Sequence, residues 1–260
     1  MSSNDVVSEI KRGYIYRLAE LGKRIDGRRF DEHRPLIIEK SPISSAEGSA
    51  RVKLGKTDVL IGIKMEPGEP YPDTPNSGVM TTSAEMGPVA SPTFESGPPG
   101  EDAIELARVT DRAIREGEVI DLEALCIEPE KKVWIVFIDI HVLDYDGNLF
   151  DACQFGALAA LSSTIVPAEK FGLGKDFPLK IQHYPVSVTF AKIRDKILCD
   201  PGLDEEKIAD ARITISLDEN NNIRAVQKGL RGGFSQEEIK KIINMAVQIT
   251  PTLRKKILEV

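Results

Sequence analysis

Val133-Trp-Ile-Val-Phe-Ile-Asp-Ile-His-Val-Leu-Asp-Tyr145 is the clearest β-strand in the sequence, an apolar and β-branched run broken only by Asp139, His141 and Asp144. Gly147–Leu149 follows as a turn. Asp151–Thr164, rich in Ala, Gly and Ser, then reads as a helix whose small residues demand close packing. A strand, a tight turn and a closely packed helix in direct succession set the grammar for the rest of the chain. Upstream, Pro35–Glu39, Ser49–Leu54 and Asp58–Met65 are strand-like, the last two joined by Gly55-Lys56-Thr57 as a hairpin connection. Downstream, strands are expected at Val186–Lys192, Lys196–Cys199, Ala211–Leu217 and Ile223–Gln227. A final helix runs from about Ser235 to Ile257, opened by the capping box Ser235-x-x-Glu238. Strands followed by a helix, twice over, predict an α+β chain of two related halves. The expected units are an N-terminal helix (1–22), a larger half (23–180) and a smaller half (181–260).

At the N-terminus, Val7, Ile10, Tyr14, Leu18 and Leu21 give helical spacing over residues 4–22, and Arg24-Ile-Asp-Gly-Arg28 is a turn. Residues 66–100 hold half of the chain's 16 prolines and five of its glycines, and no Lys or Arg occurs from Met65 to Ala107. They predict a long irregular loop.

The 260 residues carry 34 Lys and Arg against 41 Asp and Glu, a formal charge of −7. That balance excludes a generally basic nucleic-acid coat and leaves room for a local basic patch. Cys126, Cys153 and Cys199 are odd in number and lack C-x-x-C spacing, which argues against a disulfide framework and a thiolate zinc site. No signal-peptide core and no apolar run of about 18 residues occurs, so a soluble, cytoplasmic protein with no membrane partner is expected. Asp139 and His141 share one strand face and could ligate a metal. Asp144-x-Asp-Gly-Asn148 has neither the glycine position nor the closing Glu of a calcium loop. Neither carries a metal assignment. Asp218-Glu-Asn-Asn-Asn222 reads as a hairpin turn, and Gly229-Leu-Arg-Gly-Gly233 as a strand-to-helix turn or a phosphate cradle. No cofactor motif is present.

The segment Asp102–Glu116 carries the one candidate binding surface. At 100° per residue its apolar side chains gather on one side, while Arg108, Arg112 and Arg115 fall within about 60° of each other on the other. Such a stripe can grip successive phosphates. Composition alone favours a solvated face balanced by Glu105, Asp111 and Glu116.

Several separated motifs resemble the RNase PH family of phosphate-dependent 3′ exoribonucleases. They are Arg24-Ile-Asp-Gly-Arg28, Glu47-Gly-Ser-Ala-x-Val-x-x-Gly55-x-Thr57-x-Val59-Leu60, Ile104-Glu-Leu-Ala-Arg-Val-Thr-Asp-Arg112, and Asp144-Tyr-Asp-Gly-Asn-Leu-Phe-Asp-Ala152. The resemblance runs from about residue 20 to 258 and is nearest to the non-catalytic RNase PH-like subunit of the archaeal exosome. It implies an RNase PH-like fold and a place in a hexameric ring, three heterodimers of this chain with a catalytic paralogue. RNA-binding cap proteins and single-stranded RNA are the further implied partners. It also implies that Arg108 and Arg112 hold RNA beside the paralogue's active site.

The departures from the family imply that this chain has no catalytic residues of its own. Catalytic members hold phosphate with Gly-Ser/Thr-Arg or Gly-Ser-Ser where this chain reads Gly147-Asn148-Leu149. They carry Arg-Arg where it reads Glu101-Asp102. Asp210 alone matches the family's catalytic Asp. The alternatives are an active phosphorolytic exoribonuclease using Asp210, and an RNA-binding module unconnected with catalysis.

Overall fold

The computed structural model describes residues 3–259, with side chains from residue 11 onward. The chain begins with α1 (Ser3–Glu20). A first sheet follows from β1 (Leu36–Lys40), β2 (Gly48–Leu54), β3 (Thr57–Gly68), β4 (Val79–Met86), β5 (Cys126–Glu128) and β6 (Lys132–Asp144). Its strand order is β1-β2-β3-β6-β4, with β5 also on β6. All its pairs are antiparallel except β4 with β6, which run parallel and are connected through α2 (Glu101–Arg115). A parallel pair needs such a long crossover.

After β6 come α3 (Leu149–Ser162) and a short ribbon of β7 (Ile165–Val166) and β8 (Phe177–Pro178). The second sheet contains β9 (Val186–Ile193), β10 (Lys196–Cys199), β11 (Ala211–Leu217) and β12 (Ile223–Gly229). Its order is β10-β9-β11-β12 and every pair is antiparallel. α4 (Leu203–Ile208) lies between β10 and β11 in sequence, and α5 (Gln236–Leu258) closes the chain. The architecture is α+β, as expected.

α3 is the centre. Every residue from Leu149 to Leu161 is buried, so the helix has no solvent face. A helix apolar all round has to be enclosed on all sides, and α3 packs on β2 and β3 of one sheet, on β9 of the other, and on α2 and α5. One continuous apolar cluster therefore takes in Val52 and Ile61 from the first sheet, Phe155 and Leu158 from α3, and Val188 and Phe190 from the second.

Two expectations are corrected. Residues 66–100 are not irregular throughout: β3 extends to Gly68, and β4 is an eight-residue strand at the sheet edge. Its outward residues Thr81, Ser83 and Glu85 are polar, which hides the period-2 pattern between proline-rich flanks. On α1, the buried residues are Ile15 and Ala19, packed on Ala191, Ile193, Leu198 and Ile208. Tyr14 and Leu21 of the expected stripe are exposed, and Val7 and Ile10 lie outside the described side chains. α4 was not anticipated; six residues are too few to show a helical period.

The turn entering α3 is tightly enclosed. Gly147 sits at φ +91°, and a Cβ there would lie 2.5 Å from Gly202 C, 2.5 Å from Leu203 N and 2.8 Å from Pro201 O. These are backbone atoms that cannot swing aside. Gly172 also has positive φ, at +68°, but open space around it. Gly147→Ala is therefore expected to cost at least about 3 kcal/mol, and Gly172→Ala only about 1 kcal/mol from the backbone preference. Denaturant midpoints of the two variants check the difference.

Candidate nucleic-acid interface

α2 starts after Gly100 with Glu101 and Asp102 in its first turn, where carboxylates suit the positive end of the helix dipole. Ala103, Leu106, Ala107, Val109, Thr110, Ala113 and Ile114 are buried against β4 and α3. That inward face fixes where the arginines point. Arg108 and Arg112 are exposed and line a groove of about 330 Å³ with Glu101, Ile104, Glu105, Val109 and Gln227. Gln227 comes from β12, so the groove runs between the two halves of the chain.

The members of this stripe are held differently. Arg112 donates to Gln227 Oε1 at 2.9 Å. The Arg108 side chain makes no hydrogen bond or ion pair among the described residues, although it lines the groove. Arg115 leaves the stripe: its guanidinium pairs with Asp111 at 3.0 Å and donates to the Met80 carbonyl at 2.9 Å. The expected balance by a carboxylate is found for Arg115 and, among the described residues, for neither Arg108 nor Arg112. Glu105 does not balance the helix arginines either. It pairs at 3.0 Å with Arg212 of β11, whose guanidinium lies 4.2 Å over the Phe150 ring.

The turn at Gly147-Asn148-Leu149 is fully engaged inside the protein. Leu149 is buried. Asn148, at φ +55°, caps α3 by accepting from Asp151 N–H, and its Nδ2 donates to Asp151 and Asp200 at 2.8 Å each. Its own backbone N–H donates to Glu206 Oε1 at 3.0 Å, and Tyr145 Oη donates to Glu206 Oε2 at 2.9 Å. A carboxylate of this chain thus occupies the N–H at the helix entrance. Burial raises the Glu206 pKa, against the pull of the Asn148 and Tyr145 donors and of Arg212 and Arg34.

Around this turn lies a buried charge cluster that sequence reasoning missed. Asp200 accepts from Arg34 N–H, Nε and Nη2, from Arg28 Nη1, and from Asn148. Burial alone would raise its pKa, but the Arg34 hydrogen bonds and the charges of His33, Arg34 and Arg28 hold it far below the usual carboxylate range. Arg24 pairs with Glu205 at 2.6 Å. Asp151 accepts from Asn148 and from Thr189 N–H and Oγ1, with no cation among its hydrogen-bond partners; burial carries its pKa up to about 7. The turn Arg24–Arg28 signalled a loop, but nothing in its pattern gave the partners Asp200 and Glu205.

The remaining sequence candidates are accounted for locally. Asp210 is not among the groove residues; its carboxylate accepts from Arg194 N–H at 2.7 Å and its carbonyl from Gly232 N–H at 2.8 Å. The same Gly232 contact makes the 229–233 tract a packed turn. Asp139 bonds Ser83 and His141 pairs with Glu85, so the two do not converge. Asp218 accepts from Asn220 and Asn222 N–H groups, closing the expected hairpin turn.

Residues 32–167 match the 3′ exoribonuclease family, domain 1, and residues 183–249 match its domain 2. The chain belongs to this family. It is 52% identical to the exosome complex component Rrp42 of Methanocella arvoryzae over 98% of each chain. It is 50% identical to that of Thermococcus kodakarensis over 100% of this chain and 98% of the relative. A chain of the Archaeoglobus fulgidus exosome with RNA bound to the active site superposes with a TM-score of 0.94 at 49% identity, covering 96% of this chain and 99% of that one. The RNase PH-like fold expected from the motifs is thereby established for this family member.

The cluster also sets a pH response. Burial lowers the His33 pKa to about 4, assisted by Arg28, Arg34 and Arg24 and opposed by Asp200, and neither ring nitrogen has a hydrogen-bond partner among the described residues. Folded His33 thus stays neutral where the unfolded chain, with an ordinary pKa near 6.5, takes up a proton. The unfolded state binds more protons between pH 6.5 and 4, so stability falls as pH drops through that window. His33→Gln is expected to remove up to about 3 kcal/mol of this loss. Unfolding free energies of both proteins at pH 7 and pH 4.5 check it.

Proposed function

We propose that this chain is a non-catalytic structural and RNA-binding subunit of a ring-shaped 3′–5′ phosphorolytic exoribonuclease, the exosome. In this reading three copies alternate with three copies of a catalytic paralogue in the cytoplasm, RNA-binding cap proteins sit on the ring, and single-stranded RNA is the substrate. Arg108 and Arg112 grip RNA phosphates next to the paralogue's active site. The resemblance to exosome components across the full length supports the assembly.

The engaged turn at Asn148-Leu149 is the observation that carries the non-catalytic reading. Phosphoryl transfer depends chiefly on positioned positive charge and oriented donors. Here Leu149 offers neither, the Asn148 side chain is consumed by Asp151 and Asp200, and the Asn148 N–H is occupied by Glu206. Asp210 is left as a carboxylate bonded to a backbone N–H, without a phosphate cradle. By contrast, Arg108 is unpartnered among the described residues and Arg112 has only a neutral amide partner, which leaves both charges available to an anion.

The purified chain alone is expected to release no nucleoside diphosphates from single-stranded RNA in phosphate. Asp210→Asn in the assembled ring is expected to leave most activity in place. Robust phosphate-dependent degradation by the lone chain, or its loss in an intact Asp210→Asn ring, would establish the active-enzyme alternative instead.

Replacing both Arg108 and Arg112 with Glu should weaken RNA binding and slow degradation by the ring. The log–log salt dependence of binding should become shallower by about 0.7 for each lost phosphate contact. Thermal stability should barely move, since neither side chain contributes to the core. Filter-binding titrations across a salt series measure both quantities, and an unchanged slope removes the two arginines from the RNA site.

A further inference from the structure

The arginine groove has a second wall, and among the described residues only one side chain of that wall touches the stripe. Gln227 projects from β12 and accepts a 2.9 Å hydrogen bond from Arg112 Nη1. A guanidinium has only donors, so the amide oxygen must face it, and the amide nitrogen must point elsewhere. β12 is the outermost strand of its sheet, and its register places Gln227 opposite Thr214 of β11. The strand fixes the amide; the amide fixes a long, otherwise solvated side chain.

An arginine free in water loses considerable rotamer freedom when it grips a ligand. A neutral acceptor removes part of that cost beforehand without cancelling the charge. Asp111 does the opposite for Arg115, engaging its guanidinium in an ion pair. Within one helical turn, then, one arginine is neutralised by a carboxylate and its neighbour is only steered by an amide. Glu105, a carboxylate that lines the groove, is taken up by Arg212. Glu101 remains at the N-terminal end of the groove, where its charge repels a phosphate and favours the end that Arg112 and Gln227 share.

We infer that Gln227 is a positioning residue of the RNA groove: its side-chain carbonyl holds the Arg112 guanidinium across from the helix, aligned for a backbone phosphate. This rests on the reading of Arg108 and Arg112 as RNA contacts. Gln227 itself reads no sequence, so its contribution applies equally to all RNAs.

The test uses the full-length chain assembled with its catalytic paralogue, and a labelled single-stranded oligoribonucleotide in phosphate-free buffer to prevent degradation. Gln227→Ala should weaken binding about three- to tenfold, the worth of one steering hydrogen bond, with the salt slope unchanged because Arg112 keeps its charge. The same change in an Arg112→Ala background should have no effect, since nothing is left to steer. Gln227→Glu should convert the contact into an ion pair, and make the salt slope shallower by about 0.7, as though Arg112 were gone. Equal losses from Gln227→Ala in both backgrounds, or an unchanged slope in Gln227→Glu, overturn the inference. The Arg108→Glu/Arg112→Glu ring is measured alongside. If it binds RNA as the parent does, the groove reading falls and this inference with it; if it binds weakly while the Gln227 variants behave as the parent, only the inference falls.

Discussion

Asp200 is a fully buried carboxylate at the end of β10, and much of the architecture converges on it. It accepts hydrogen bonds from two arginines of the 28–34 segment and from the residue that caps the central helix. Taking these charges from water is costly, and a buried pair repays the desolvation only where every lone pair is used. Here they are. Removing Asp200 would leave Arg34, itself buried, facing the carbonyls of Asp146 and Gly147 with only the more distant Asp146 carboxylate, 3.9 Å away, as counter-charge. The entry to α3, the 24–34 segment and the second sheet would lose their common anchor together.

That anchor bears on function through position. The family resemblance implies that catalytic relatives hold phosphate at the turn before α3. In this chain the same turn is turned inward. Asn148 serves Asp151 and Asp200, Glu206 takes the Asn148 backbone N–H, and Leu149 joins the core. The polar capacity of the turn is spent on joining the halves. The charge available to an outside anion lies on α2 instead, where Arg108 and Arg112 face a groove.

The strands and long helices were legible because their patterns are local. Lys196–Cys199 and Ala211–Leu217 fall on the expected residues, and the Ser235 capping box forms as its spacing requires. The α2 pattern placed Arg108 and Arg112 outward and offered Asp111 as an i,i+4 partner for Arg115, but gave no sign that Arg115 would also reach the Met80 carbonyl, since that depends on β4 lying alongside. β4 was hidden by its polar outer face, and α4 by its brevity. The buried cluster was illegible for a different reason. Arg24, Arg28, Arg34 and Asp200 look like solvated charges in sequence, and only tertiary proximity reveals them as partners. The motif Arg24-Ile-Asp-Gly-Arg28 was recognisable by resemblance, while its physical purpose was not. Gln227 gave no signal at all, because a lone glutamine on an edge strand is ordinary.

The enclosure of α3 has a further consequence. The groove takes one wall from α2, which packs on the first sheet, and the other from β12 of the second; the two touch directly and are also joined through a helix that both sheets clasp. Such a joint has no hinge. The walls cannot open or close like jaws around a strand of nucleic acid, and their spacing is as stiff as the interior itself. Under the proposed function the groove is a fixed rail for a nucleic-acid strand, with its gauge set by core packing tens of residues away in sequence.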